Sequence, residues 1–129
     1  MDRRGYQQYK QQSVNSMTPG ELLLLLYDEL VKRGTMAAIA LEKEDYPTFE
    51  AAVERCSDIV DYLSATLDPQ YPISRDLSRM YEYFTYQLGR IKIGRNGKLL
   101  EELRPMLAEL RDAFHNAEKN SSSGRESAV

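Results

Sequence analysis

The sequence predicts an all-α chain: an antiparallel up-down-up-down four-helix bundle preceded by a short N-terminal cap segment. Apolar residues recur three and four apart in four separate blocks, and the period-two alternation of a half-buried strand is missing. Short links bearing Pro, Gly or Asn separate the blocks, which favours antiparallel neighbours. A length of 129 residues suits one domain with one hydrophobic core.

Residues 1–17 read as an arm. Gln, Asn and Ser dominate it, but Tyr6, Tyr9, Val14 and Met17 are apolar anchors that can lie over a groove of the bundle. The first helix is expected over 18–44, opening at Thr18-Pro19-Gly20-Glu21. There Thr18 is the cap, Pro19 takes the first helical position and Glu21 completes a capping box. Met17 and Leu22 are placed to form a hydrophobic staple across that start. Gly34 weakens the middle of this helix by roughly 1 kcal/mol relative to alanine.

Asp45-Tyr46-Pro47 ends the first helix and opens the second, expected over 46–68 with Phe49, Val53, Cys56, Ile59, Val60, Leu63 and Leu67 inward. Pro69 and Pro72 forbid continuous helix through the next link. Ser74 and Asp76 then supply a cap and a first-turn acid for a helix over 74–94, whose inward face is Leu77, Met80, Tyr81, Phe84, Leu88 and Ile91. Gly94, Asn96 and Gly97 break the pattern, and Asn96 is the expected cap of the last helix, 96–118. Its seam is Leu100, Leu103, Leu107, Leu110, Phe114 and Ala117, and Pro105 inside it predicts a bend without a break. The Ser-rich residues 119–129 read as a disordered tail.

Composition narrows the function. A net charge of −3 with no basic stripe in the sequence argues against nucleic acid. The longest apolar run, Leu22 to Tyr27, is too short for membrane insertion, and the polar first residues lack the apolar stretch of a secretory signal, so a cytoplasmic location is expected. Cys56 is the only cysteine and sits on an apolar helical face, so it reads as a small buried hydrophobe. His115 is the only histidine. With Asp112 it makes half of the carboxylate–histidine pattern of bundle metal sites, too little to hold a metal, and no lysine or glycine setting for phosphotransfer surrounds it. Without a phosphate-binding glycine loop or a nucleophile–base pair, neither catalysis nor a cofactor is expected.

A surplus of apolar residues remains. Leu22 to Leu26 span more than one helical face and cannot all enter one core, while Tyr62, Tyr83 and Tyr86 fall off the core lines. Such tyrosines suit a partner interface, since each buries a ring and keeps a hydroxyl for hydrogen bonding; they equally suit a covering role on the bundle surface or against the arm.

The ordered motifs carry a resemblance. Tyr6-Gln7-Gln8-Tyr9-Lys10, Ser13-Val14, Thr18-Pro19-Gly20-Glu21-Leu22 and Leu26-Tyr27-Asp28 are followed by Ser64-Ala65-Thr66-Leu67-Asp68, Met80-Tyr81-Glu82-Tyr83-Phe84 and Leu110-Arg111-Asp112-Ala113-Phe114. The set resembles the flagellar secretion chaperone FliS family over about residues 5–118. The resemblance implies a non-enzymatic chaperone that binds the disordered C-terminal segment of flagellin, prevents premature polymerisation and presents it to the flagellar type III export gate. On this reading Leu25, Tyr27, Tyr62, Tyr83 and Tyr86 help form a partner-binding groove, and Tyr6, Tyr9 and Val14 cover it until flagellin displaces them. The alternative is a generic helical self-association or protein-interaction module; a weak homodimer is compatible with either.

Overall fold

The computed structural model describes residues 16–127, with side chains described as far as residue 120. Four helices make up this region: α1 (Pro19–Glu42), α2 (Tyr46–Ala65), α3 (Ile73–Gly94) and α4 (Gly97–Ser127). Among the described residues there is no strand.

Local chemistry sets most boundaries. Thr18 caps α1, its Oγ1 accepting from the Glu21 backbone N–H at 3.1 Å. The helix ends through Glu44, which takes a positive φ of 60°, so that the Asp45 N–H reaches back to the Ala40 carbonyl at 2.8 Å. Asp45 then caps α2, its Oδ1 accepting from the Thr48 N–H at 3.3 Å. Asn96 caps α4 as expected, Oδ1 accepting from the Leu99 N–H at 3.0 Å.

The start of α3 differs from expectation. Pro72 already has helical torsions, φ −56° and ψ −34°, so it occupies the cap position and Ser74 falls inside the first turn. No side chain caps this helix; the Ser74 N–H is instead satisfied by the Tyr71 carbonyl at 3.0 Å. The last helix passes through Pro105 unbroken and continues to Ser127, beyond the expected end at 118. The preceding sequence offers no proline or αL cap at 118 to stop it.

Cross-helix contacts define the topology. Asp28 meets His115 and Thr35 meets Arg104, so α1 and α4 run antiparallel. The Cys56 thiol donates to the Leu30 carbonyl at 3.7 Å from the facing helix α2. Lys92 pairs with Glu54, and the Arg95 guanidinium lies 3.7 Å over the Tyr46 ring, which sets α3 antiparallel to α2. The order is up-down-up-down.

The core is made of Tyr27, Leu30, Ala37 and Ala40 from α1; Phe49, Ala52, Val53, Cys56, Ile59, Val60 and Leu63 from α2; Leu77, Tyr81, Phe84, Leu88 and Ile91 from α3; and Leu100, Leu103, Leu107 and Leu110 from α4. Burial pushes the Cys56 thiol up to about 12, so it stays protonated and unreactive. Four residues expected inside are not fully buried. Met80 and Ala117 are exposed and Phe114 is half-buried, and Leu67 is half-buried because α2 ends at Ala65, short of the expected 68. Of the neighbouring pairs, α3 and α4 pack least closely.

Gly34 sits in the tight α1–α4 contact, yet a Cβ there would meet only Arg104 Cγ and Leu107 Cδ1, each at 3.8 Å. That is ordinary van der Waals distance, and the backbone is helical. Gly34→Ala should therefore raise stability by about 1 kcal/mol, read as an increased midpoint in urea denaturation at unchanged slope. A lower midpoint would mean that α1 and α4 need the bare backbone to approach.

Candidate functional site

Where α3 and α4 diverge, the bundle has an apolar cavity of about 590 Å³. All four helices reach it: the beginning of α1, the end of α2, the beginning of α3 and the later turns of α4. This convergence follows from the up-down order, which brings alternate helix ends together.

Tyr27 forms the floor. It is 0% exposed, its ring stacks on Phe114 with centroids 4.6 Å apart, and its hydroxyl is hydrogen-bonded to the Tyr81 hydroxyl. Burial raises both phenol pKa values above the ordinary tyrosine range, so the floor is uncharged. Leu23, Leu63 and Leu67 form one side; Ile73, Leu77 and Met80 form the α3 wall; Leu110, Ala113, Phe114 and Ala117 form the α4 wall. Thr66, Asp68, Ser74 and Asp76 supply polar groups to a lining that is otherwise nearly all hydrocarbon. Tyr71 and Ile73 are exposed and leave one side open. A largely preformed apolar recess with a few polar groups suits capture of side chains from another polypeptide segment.

The polar pairs near this end are structural. His115 Nε2 lies 3.0 Å from Asp28 Oδ1, and Asp112 pairs with Arg111 at 2.9 Å. Asp112 and His115 thus turn to different partners. Among the described residues no group of three or more His, Cys, Asp or Glu side chains could hold a metal ion.

Of the groove residues expected from the sequence, the cavity gathers one, Tyr27, and as its buried floor. Leu25, Tyr62, Tyr83 and Tyr86 are exposed and lie outside the lining. Tyr62 and Tyr83 are one helical turn from the lining residues Thr66 and Met80, so they flank the opening. Leu25 is about 200° round α1 from Tyr27, and Tyr86 about 120° round α3 from Met80, so both face elsewhere. Tyr6, Tyr9 and Val14 lie outside the described residues. The walls, by contrast, come from positions that the helical period marks as core. Their signal is that Met80, Phe114 and Ala117 cluster at one end of their helices.

Residues 2–121 match the family described as Flagellar protein FliS. The chain belongs to the FliS family. The flagellar secretion chaperone FliS of Bacillus subtilis (strain 168) is 32% identical over 112 residues, covering 87% of this chain and 84% of that protein. A crystal structure of a bacterial flagellar chaperone shares the fold, with a TM-score of 0.73 over 93% of this chain and 99% of that one, at 19% identity. The four-helix architecture expected from the sequence is thus the architecture found. FliS proteins are a chaperone family and not an enzyme family, which points away from catalysis. Among the described residues no helix is long and apolar enough to cross a membrane.

The cavity should take up a small apolar reporter. Anilinonaphthalene sulfonate fluorescence should rise in the presence of the native protein, and Met80→Glu should cut that rise by about twofold or more with unchanged helicity, because it places a charge in the apolar wall. An equal signal from the variant would put the dye elsewhere.

Proposed function

We propose that this FliS protein is a cytoplasmic export chaperone that seats the disordered C-terminal segment of flagellin in the open end of the bundle. The single observation that carries this is the nearly all-apolar cavity between the diverging ends of α3 and α4. By covering the segment, the chaperone prevents premature polymerisation, and the complex is delivered to the flagellar type III export apparatus.

Magnitudes determine how far the client must reach. A cavity of about 590 Å³ holds a few large side chains. Each contributes roughly 1.5–3 kcal/mol on burial, whereas ordering a disordered segment costs about 2–5 kcal/mol or more. The cavity alone would leave a weak complex, so the client continues over the surface. Tyr62 and Tyr83, beside the opening, are the first contacts on that path; Leu25 can be met by a client that wraps around α1. In the free protein Tyr6, Tyr9 and Val14 of the N-terminal arm occupy the cavity and yield to flagellin, which lowers the apparent affinity by the fraction of chaperone so covered.

Calorimetric titration tests this. Flagellin should bind with a strongly negative heat-capacity change, and flagellin lacking its C-terminal segment should not bind. Deleting residues 1–16 should preserve or strengthen binding, while Met80→Glu and Tyr83→Asp should each weaken it by about tenfold or more with helicity intact. Loss of binding on deleting the arm would sink the displacement mechanism, and equal binding of truncated flagellin would sink the client assignment.

A further inference from the structure

The outward face of α3 carries a feature that the cavity does not use. Arg75, Arg79, Tyr86, Arg90 and Ile93 are all exposed. Their spacings of four, seven, four and three residues place them within about 60° of one another around the helix, opposite the buried Leu77, Phe84 and Leu88. The stripe is about 27 Å long at 1.5 Å per residue.

Its chemistry is specific. Ile93 is 89% exposed and Tyr86 65% exposed, an unusual pair of large apolar side chains for a helix whose opposite face already serves the core. Gly89 lies beside them, and a Cβ placed there would meet nothing within 4 Å, so the helix backbone is open to a knob from another chain. A shallow hollow of about 600 Å³ runs past Tyr86, Gly89, Arg90 and Ile93. At the other end Arg75 and Arg79 border a recess of about 820 Å³. Neither arginine side chain makes an ion pair or hydrogen bond among the described residues. Arg90 donates to Gln87 Oε1 at 3.2 Å and lies 5.7 Å over the Tyr86 ring, which holds it on the stripe with donors to spare. Glu82 lies on this face and Asp76 beside Arg75 at its edge, so Arg75, Arg79 and Arg90 outnumber the acids and the stripe is net positive on a chain of net charge −3.

We propose that this face of α3 docks an acidic amphipathic helix of a partner protein, with carboxylates for Arg79 and Arg90 and apolar side chains for Tyr86, Gly89 and Ile93. Charge complementarity selects acids, because arginine makes forked hydrogen bonds to carboxylates that lysine does not. The apolar centre selects a helix over a phosphate backbone, because phosphates would leave Tyr86 and Ile93 uncovered. Arg79 and Arg90 are eleven residues apart, close to three turns, so the partner's acids should be separated by a similar length of helix. None of Arg75, Arg79, Tyr86, Arg90 and Ile93 lines the cavity, although the recess beside Arg75 and Arg79 shares Leu67, Tyr71, Ser74 and Asp76 with it, and the docking does not depend on the identity of the client seated in the cavity.

The test uses the whole protein and two synthetic 18-residue amphipathic helices with identical leucines, one with glutamates at both ends and one with lysines. Heteronuclear NMR titration should move backbone signals of residues 79–93. The glutamate peptide should bind at least about tenfold more tightly than its lysine twin at low salt, with the ratio shrinking as salt is added. Arg79→Ala with Arg90→Ala should abolish the preference while leaving helicity unchanged, and Ile93→Ser should weaken both peptides. Equal affinities, no binding, or shifts confined to cavity residues such as Leu110 and Phe114 would overturn the proposal. So would single-stranded DNA or anionic vesicles matching the glutamate peptide, which would make the stripe a phosphate site. Dimerisation abolished by Ile93→Ser would likewise overturn it, assigning the face to a second copy.

Discussion

Four amphipathic helices close a core only where each meets its neighbours on both sides, and here α3 and α4 pack least closely of the neighbouring pairs, with an apolar cavity lined by both at one end. The other end is held firmly. Arg95 covers the Tyr46 ring, Lys92 pairs with Glu54, and a Cβ on Gly97 would come within 3.3 Å of Leu41, so the start of α4 abuts the end of α1. The Arg104–Thr35 hydrogen bond of 3.0 Å keeps α1 and α4 together through the middle. From there α4 stays on α1, through the Tyr27–Phe114 stack and the Asp28–His115 pair, and packs less closely on α3. The cavity is the consequence.

Tyr27 makes that opening tolerable. A bundle with one incomplete end would be expected to collapse or to expose its floor. Tyr27 fills the floor with a large ring, satisfies its hydroxyl on Tyr81 of α3, and stacks on Phe114 of α4. One side chain on α1 thus contacts both of the helices that pack least closely on each other. A buried phenol paired with a second phenol leaves no charge below the cavity, so the lining stays apolar. The FliS fold therefore combines a closed core with an apolar recess in one small domain.

Much of this was legible in the sequence. Thr18, Asp45 and Asn96 announce three helix starts through side-chain oxygens, and the apolar period identifies the core of α2, α3 and α4 but for Ala52, whereas Tyr27, Leu30, Ala37 and Ala40 of α1 were not marked as core. The third start was misread because Ser74 looks like a cap, whereas Pro72, its torsions already helical, takes that place. The site was less legible. Periodicity says which way a side chain points and not whether a neighbour fills the space in front of it. Met80, Phe114 and Ala117 therefore read as core, although they face a gap. Tyr27 was expected in a groove wall and is instead the buried floor, while the apolar surplus lies in the leucines before it: none of Leu22 to Leu26 is fully buried. Tyr86 also read as groove, because off-core aromatic residues look alike until the helices are placed around them.

The central claim is that the client occupies the open end of the bundle. Amide hydrogen exchange of the full-length protein, with and without the flagellin C-terminal segment, tests it directly. The account predicts new protection in residues 73–81 of α3 and 110–117 of α4, the two walls of the cavity, because a seated segment supplies the neighbour each lacks. Protection gained on the outer faces of α1 and α2 instead, with those walls unchanged, would contradict it.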